Sequence, residues 1–494
     1  MSQQKKNSNL IAIITMFFIF AMISFVTNLA APFGTIWKNQ YDGSNTLGMM
    51  GNMMNFLAYL FMGIPAGNLL VKIGYKKTAL TAMAVGVIGL FIQYLSSLLG
   101  TDTELFTAGT FIINLNFIIY LLGAFICGLC VCMLNTVVNP MLNLLGGGGN
   151  KGNQLIQSGG ALNSLSATLT PLFVGLLIGT VTKKTTMTDV TPMLFIAMGV
   201  FAAAFIIISF IAIPEPHLKS GAAKEKFSHS PWNFRHTVLG VIGIFIYVGI
   251  EIGIPSTLNF YIADKTAKGA GILLNGAAIG GAITAIYWLL MLVGRSVSSA
   301  ISRRVSSRTQ LITVTIAAIF FVMVAMFIPK SVGIKVPNMI YNPIEKTTEI
   351  LQGANVPDTL INAFIAHPSA AMLTPYTIVL NAESEMTPDD VVNSLNTPLV
   401  PISAFVLILC GLCTSVMWGG IFNLAVEGLG KYTAQASGIF MMMVVGGGVL
   451  PLIQQGLSDT FGYMASYWLI IAALGYLLFY GLVGSKNVNK DIPV

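Results

Sequence analysis

One carboxylate lies deep inside an apolar stretch of this chain: Glu251, in the run Tyr-Val-Gly-Ile-Glu-Ile-Gly-Ile-Pro. A charged carboxylate is expensive in an apolar setting, so it needs a partner or a water-filled cavity, and it is protonated more easily than usual. Two interpretations of Glu251 follow. It is either the carrier of a proton across a membrane or a hydrogen-bonded structural glutamate between two halves of the fold.

Amides and hydroxyls are more numerous than carboxylates in the apolar stretches, and several recur at helical spacing. These groups both donate and accept hydrogen bonds, which suits a neutral polyol such as a sugar, and an aromatic ring covers a sugar's apolar face. A single amide is more typical of an interhelical hydrogen bond. The set as a whole indicates a polar central cavity, for which we predict Asn28, Asn135, Asn139, Asn163, Asn275, Trp418 and Asn423.

Long apolar runs carry these residues and predict an all-α integral membrane protein. Apolar residues make up 55% of the 494 residues and charged residues 9%, whereas soluble proteins carry about 25% charged residues. A helix that crosses a bilayer needs about 20 apolar residues. The sequence predicts twelve spans at 9–37, 47–71, 78–100, 110–145, 153–181, 190–213, 236–262, 270–294, 309–329, 398–426, 433–458 and 463–484.

The lysines and arginines are distributed unevenly between the two sides of the predicted bundle. Most of the 25 basic residues fall in every second loop, which by the positive-inside rule places both termini in the cytoplasm. We therefore expect a multi-pass monomer in the cytoplasmic (inner) membrane. The net charge of +7 reflects this topology, because no loop has the dense basic cluster of a nucleic-acid site. We expect lipid as the surroundings, with no nucleic-acid partner, cofactor or metal.

The predicted spans divide into two groups of six. The N-terminal bundle covers residues 1–213, the C-terminal bundle covers 236–494, and the Pro- and Lys-bearing segment 214–235 is a cytoplasmic linker. Basic residues four apart after span 2 (Lys72, Lys76) and after span 8 (Arg304, Arg308) indicate an internal repeat. The second half also contains an acidic insertion, 330–397, between spans 9 and 10. We expect the insertion to form a small folded unit on the extracellular side, in which Thr387-Pro388-Asp389-Asp390 begins a helix.

Several motifs resemble those of the major facilitator superfamily, in particular its fucose permease-like branch of sugar–proton symporters. They are Lys72-Ile-Gly-Tyr-Lys76, Leu134-Asn-Thr-Val-Val-Asn-Pro140, Asn163-Ser164, Tyr247-Val-Gly-Ile-Glu251, Gly294-Arg295 with Arg303-Arg304, and Gly428 through Gly438. The resemblance implies two six-helix pseudo-repeats that rock about a central site. It also implies that the basic residues of the two turns control this movement, namely Lys72, Lys76, Arg295, Arg303 and Arg304.

The chain departs from that branch at three positions. Asn28 stands where proton-coupled members have aspartate in the first span, and Asn135 stands where the branch has glutamate. A glutamine that contacts sugar in such members falls on Gly160. Asparagine forms hydrogen bonds but cannot carry a proton. The resemblance therefore implies a sugar-sized polar cavity, with Glu251 as the remaining candidate for proton coupling.

These observations predict a secondary active or facilitative transporter that moves a small polar solute across the cytoplasmic membrane by alternating access, with a monosaccharide as the leading hypothesis. An enzyme is not expected, since the predicted spans hold a single deep carboxylate and no buried histidine. Two alternatives remain. The same fold could export a drug or carry a nucleoside, or the chain could be a membrane sensor whose insertion binds a ligand.

Overall fold

Long helices form most of the protein, as a bilayer requires, because backbone groups within lipid must bond inside their own segment. The computed structural model describes residues 3–145, 149–178, 185–211, 213, 230–301, 305–336, 342–384, 386–429 and 433–486. Within these ranges, 11 helices are long and apolar enough to cross a membrane. The 30-residue helix Gly149–Ile178 occupies the remaining predicted position. The predicted all-helical membrane fold is confirmed.

We number the spans 1 to 12 along the chain. They are Gln3–Gln40, Asn45–Leu70, Lys72–Leu95, Leu115–Leu145, Gly149–Ile178, Thr191–Phe210, Arg235–Ala263, Gly276–Ile301, Ser307–Phe327, Ile402–Val426, Thr433–Met443 with Gly446–Phe461, and Tyr463–Phe479 with the π-turn Tyr480–Gly484.

The N-terminal half differs from the prediction in two places. Spans 2 and 3 form one helix, Asn45–Leu95, and the predicted turn is reduced to a kink at Gly74, whose φ of 87° favours glycine. Span 3 ends at Leu95 rather than at residue 100. The following segment forms an antiparallel hairpin of β1 (Glu104–Ala108) and β2 (Phe111–Asn114), which the hydropathy pattern did not reveal.

Two spans of the C-terminal half have shifted boundaries. The helix of span 8 begins at Gly276, not at residue 270, and continues to Ile301. Span 11 is interrupted between Met443 and Gly446. Of the predicted linker 214–235, residues 214–229 lie outside the described part of the chain. A short 3-10 turn, Pro231–Asn233, precedes span 7.

The insertion between spans 9 and 10 folds into short helices. They are Pro343–Gly353, Asp358–Ala366, Ala370–Leu373, Thr377–Ser384 and Pro388–Ser394, and strand β3 (Gly333–Lys335) pairs with β4 (Leu399–Pro401) at the base. The Thr387 hydroxyl and the Asp390 carboxylate form a capping box at the last helix. The predicted start of this helix is confirmed, whereas the extracellular position of the insertion stays a prediction.

The two halves contact each other mainly through spans 5 and 8 and through spans 2 and 11. At the second contact, Asn52 donates a hydrogen bond to the Gly447 carbonyl at 2.9 Å. A side chain on Gly447 would collide with Phe56 of span 2. Small residues of this kind let membrane helices approach closely, and the cavity described below lies between these contacts.

Candidate binding cavity

A polar cavity of about 350 Å³ lies between the two halves, within the range of roughly 300–1,000 Å³ that small-molecule sites occupy. Both halves line it. Spans 1, 2, 4 and 5 contribute Ser24, Thr27, Asn28, Tyr59, Asn135, Asn139 and Asn163, and spans 7 to 10 contribute Tyr247, Glu251, Trp288, Arg295, Gln310, Ser415, Trp418 and Asn423. Six of the seven predicted binding residues therefore meet at one cavity.

The asparagines of the N-terminal half are fixed by hydrogen bonds within that half. Asn135 donates to the Tyr59 hydroxyl at 2.8 Å, and Asn139 donates to the Asn135 carbonyl at 3.1 Å. Asn28 donates to the Ser24 carbonyl at 2.8 Å, and Asn163 donates across spans to the Phe20 carbonyl at 3.0 Å. These bonds use amide hydrogens, and an amide oxygen remains an acceptor for a ligand hydroxyl.

The carboxylate of the cavity is paired, which the sequence did not predict. An oxygen of Glu251 lies 3.5 Å from a guanidinium nitrogen of Arg295 on span 8. The Tyr287 hydroxyl donates to the main-chain carbonyl of Glu251 at 3.2 Å. Among the described residues that line the cavity, Glu251 and Arg295 are the charged ones. Because their charges cancel, the cavity favours a neutral ligand.

Arg295 also contacts the opposite half. Its Nη1 donates to the Gly160 carbonyl at 3.3 Å and to the Ser164 hydroxyl at 3.1 Å, both on span 5. The predicted control of movement by Arg295 had rested on its place near a turn, whereas the structure directs its side chain into the cavity.

Aromatic side chains supply apolar surface beside the amides. The half-buried Trp418 lies with its ring centroid 6.0 Å from that of Tyr247, and Trp288 lines the cavity from span 8. Trp418 was predicted from the sequence. Tyr59, Tyr247 and Trp288 were not, because aromatic residues are common throughout the apolar runs and their spacing does not distinguish a cavity from lipid.

One predicted binding residue lies elsewhere. Asn275 is not among the cavity-lining residues, because span 8 starts after it. It has a positive φ of 56°, and its main-chain carbonyl accepts from Ile279 at the start of the helix. Asparagine tolerates this left-handed backbone better than most residues. The structure therefore does not bring Asn275 to the cavity.

The remaining residues predicted to control movement lie outside the cavity. Lys72 is exposed. Lys76 donates to the Ser209 carbonyl at 2.8 Å, a contact between spans 3 and 6 of the same half. Arg303 and Arg304 lie outside the described residues. Their proposed part in the rocking movement stays a prediction.

A second charged cluster joins the two halves at one end of the helical bundle. We call the side that carries the insertion the insertion face, and the opposite side, where Arg308 of span 9 bonds to Gly481 of span 12, the terminal face. At the insertion face Lys38 of span 1 lies 3.7 Å from a carboxylate oxygen of Asp264, which follows span 7. Lys38 also donates to the Tyr463 hydroxyl of span 12.

The Tyr463 hydroxyl connects this ion pair to span 2. It lies 2.9 Å from Asp264 Oδ2 and 3.0 Å from Asn45 Oδ1. Burial alone would raise the pKa of Asp264, but the Lys38 ammonium and hydrogen bonds from Thr266 and Tyr463 lower the pKa below its usual value. The carboxylate therefore stays charged at neutral and mildly acidic pH.

Asp459 of span 11 caps a helix of the opposite half. It accepts from the backbone N–H groups of Asn45 and Thr46 at 2.7 and 2.9 Å, and from the Thr46 hydroxyl at 2.7 Å. These groups form the start of span 2, where unpaired N–H groups and the helix dipole favour an anion. We name the five residues Lys38, Asn45, Asp264, Asp459 and Tyr463 the insertion-face cluster.

The cavity continues toward the terminal face. Its lining includes Ser307 in the first turn of span 9 and Asn423 near the end of span 10, both at the terminal ends of their spans. A polar chamber between two helical halves that are bonded together at one face, with a lining that extends toward the other face, is typical of a membrane carrier.

The chain belongs to the Major Facilitator Superfamily, whose family model matches residues 13–340. This confirms the predicted superfamily and a transporter rather than an enzyme. A glucose/galactose transporter of Brucella abortus is 26% identical over 98% of this chain and 96% of its own length. A putative glucose/galactose transporter of Helicobacter pylori is 23% identical over 99% of this chain and 100% of its own length.

Solved structures share the fold at lower identity. The crystal structure of the E. coli fucose:proton symporter FucP aligns with a TM-score of 0.59 at 16% identity, covering 97% of this chain and 100% of the symporter. The nucleoside transporter NupG aligns with a TM-score of 0.55 at 13% identity, covering 96% of this chain and 97% of that chain. These likenesses agree with the predicted fold.

Proposed function

We propose that this protein transports a neutral monosaccharide, of the glucose or galactose type, by alternating access. The observation that carries the proposal is the cavity itself, in which asparagines of one half face Trp418 across a chamber with no net charge. Amides pair with the hydroxyl groups of a sugar, and the tryptophan covers its apolar face. The names of the full-length relatives from Brucella and Helicobacter support the same substrate class.

In the first state of the proposed cycle, the insertion-face cluster is intact. Lys38, Asn45 and the start of span 2 bond to spans 7, 11 and 12, so the two halves are held together at this face. In the second state these bonds break and the halves separate around the cavity. We propose that the terminal face is cytoplasmic, as the distribution of basic loops favours, and that the protein works as a monomer in the inner membrane.

Glu251 is our candidate for proton coupling. It lines the cavity, and asparagines occupy the positions at which related symporters are expected to have acids, Asn28 and Asn135. A proton from the side to which the cavity is open would neutralise the carboxylate and enter with the sugar. FucP, whose fold this chain shares, is named a fucose:proton symporter.

The alternatives are less well supported. A drug carrier needs a broad apolar chamber, whereas this cavity presents four asparagines from one half alone. NupG shares the fold, yet the relatives that match this chain along its full length are named for sugars. A sensor that binds its ligand on the insertion would not need a polar chamber between the halves.

Counterflow in proteoliposomes tests the proposal. Vesicles loaded with unlabelled galactose or glucose should accumulate the labelled sugar transiently, and vesicles loaded with uridine should not accumulate labelled uridine. Asn135→Ala should slow sugar counterflow, because this amide faces the cavity. Uridine counterflow without sugar counterflow would replace the sugar by a nucleoside, and counterflow of neither would refute both.

A further inference from the structure

We propose that Arg295 is the positioning residue that converts the charge of Glu251 into opening or closing of the cavity at the terminal face. The inference rests on the proposed function only for its role in coupling. The geometry that carries it is a continuous chain from Glu251 on span 7, through Arg295 on span 8, to Gly160 and Ser164 on span 5. One guanidinium therefore joins the cavity carboxylate to the opposite half.

The position of these contacts along the spans determines which face of the protein they control. Arg295 lies near the terminal end of span 8, and the cavity beyond it is lined by Ser298, Ser307 and Gln310. Spans 5 and 8 pack against each other along this region. Any widening of the terminal face must separate these two spans, and it therefore breaks the bonds from Arg295 to Gly160 and Ser164.

The charge of Glu251 determines how much free energy the separation of spans 5 and 8 requires. An unpaired charge removed from water is strongly unfavourable, whereas a paired charge is tolerated. When Glu251 is charged, Arg295 keeps its partner after span 5 leaves. When a proton neutralises Glu251, the bonds to span 5 are the remaining partners of the guanidinium among the described residues, apart from water in the cavity, and the loss of these bonds on separation becomes more costly. Protonation therefore favours a closed terminal face, and proton release favours an open one.

Gly160 provides the room for this arrangement. A Cβ atom at position 160 would lie 3.7 Å from Arg295 Nη1, in ordinary contact, so a longer side chain would occupy the space that the guanidinium uses. Apart from Arg295, the ionisable groups that face Glu251 in the described residues are the phenols of Tyr247 and Tyr287. Neither phenol changes charge near neutral pH.

The test measures the distance between spans 5 and 8 in the full-length protein without sugar. Spin labels are attached to Leu165→Cys and Val297→Cys, two exposed positions on these spans, after the five buried cysteines are replaced. Between about pH 8 and about pH 5, the wild type should shift toward the shorter distance. The expected change in the ratio of the two populations is about tenfold, within the typical range for coupled sites.

Four variants separate the proposed role from a merely structural one. Glu251→Gln should show the shorter distance at both pH values, and Arg295→Gln should lose the pH response. Arg295→Lys, which keeps the charge, should restore part of the response. Ser164→Ala should weaken the short-distance state at low pH. Arg308→Gln is the matched control, because Arg308 bonds to span 12 and not to Glu251 or span 5, and it should retain the wild-type response.

A wild-type pH response in Arg295→Gln, or a pH shift in Glu251→Gln equal to that of the wild type, would overturn the inference. The measurement needs no substrate, so its result is independent of counterflow. Sugar counterflow with pH-independent distances refutes this inference alone. Absence of sugar counterflow with pH-dependent distances refutes the proposed substrate and retains the role of Arg295.

Discussion

Two regions of this protein pair a cation with a carboxylate across helices, and their surroundings differ. At the insertion face, Lys38 and Asp264 are joined by Tyr463, and the Lys38 side chain is only 4% exposed. In the cavity, Arg295 faces Glu251 at 3.5 Å and its side chain is 24% exposed. The first pair is enclosed among fixed partners, whereas the second is accessible to a ligand and to protons.

This difference assigns different tasks to the two pairs. A buried and fully bonded ion pair is costly to break, so the insertion-face cluster stabilises one conformation. A pair that lines a cavity changes its interactions when a proton or a ligand arrives. An ion pair between helices therefore holds a structure or responds to a signal according to how completely its other hydrogen bonds are satisfied.

The largest effect is expected at the pair of Glu251 and Arg295. Glu251→Gln should abolish sugar accumulation driven by a pH gradient, because the amide cannot take up the coupling proton. Counterflow at matched pH should continue, since the cavity keeps its amides. Uptake of labelled galactose into proteoliposomes, with and without a pH gradient, measures both. Unchanged accumulation in the variant would remove Glu251 from the coupling mechanism.

The next largest effect is expected at the insertion-face cluster. Asp459→Ala removes the carboxylate that caps span 2 from the opposite half, and hydrogen bonds to charged groups contribute about 1.5–3 kcal/mol each. The fraction of molecules with an open insertion face should rise at least about tenfold. A cysteine at Gly419, a cavity position with open space around it, should then react faster with a membrane-impermeant maleimide applied from that face.

Asp389→Ala is the matched control for this experiment, because Asp389 is an exposed acid in the insertion that does not bridge the halves. It should leave the labelling rate unchanged. Equal rates in the wild type and Asp459→Ala would show that the cluster does not hold the face closed.

A smaller effect is expected for single amides of the cavity. Asn135→Ala should raise the half-saturating sugar concentration roughly 2- to 10-fold, because it removes about one neutral hydrogen bond, which contributes about 0.5–1.5 kcal/mol. Asn275→Ala is its control, since Asn275 lies at the start of span 8 outside the cavity. Concentration dependence of counterflow measures both variants, and an equal loss in Asn275→Ala would contradict the placement of the site.

The smallest effect is the pH response of the insertion-face cluster. The lowered pKa of Asp264 means that its contribution to closure is complete above the ordinary pKa of an aspartate and is lost only as the pH falls below that range. In the Arg295→Gln protein, which lacks the pH response of the cavity pair, the labelling rate at Gly419→Cys from the insertion face is divided at each pH by the rate at an exposed cysteine, because maleimide reacts with the thiolate. This ratio should be constant between about pH 8 and about pH 5. A ratio that rises steadily as the pH falls would assign the pH response to the wrong pair.

Much of the fold follows from hydropathy alone, because lipid leaves few choices for the backbone. The number of spans and the helical start at Thr387 were predicted from residue types. The kink at Gly74 and the hairpin at 104–114 were not, since a left-handed glycine and a short strand pair leave no mark on an apolar run. The start of span 8 was placed too early because apolar residues such as Ile272 and Leu274 precede the helix.

The cavity was predictable only in part. Asparagines at helical spacing indicated one face of each span, and a carboxylate inside an apolar run identified Glu251. The pairing of Glu251 with Arg295, and of Arg295 with Ser164, was not predictable, because these residues lie on three different spans and nothing in their spacing shows that the helices meet. Lys38 and Asp459 looked like ordinary charges at span ends for the same reason.

Protection of the cavity by its substrate tests whether the sugar binds between the two halves. Gly419→Cys, in protein lacking the native cysteines and oriented in vesicles with the terminal face outward, is treated with maleimide in the presence of increasing galactose or glucose. Either sugar should slow the reaction at concentrations that saturate counterflow, whereas a sugar-free buffer of equal osmolarity should not. A labelling rate that stays the same at saturating sugar, in vesicles that catalyse counterflow, would show that the sugar passes through another part of the protein.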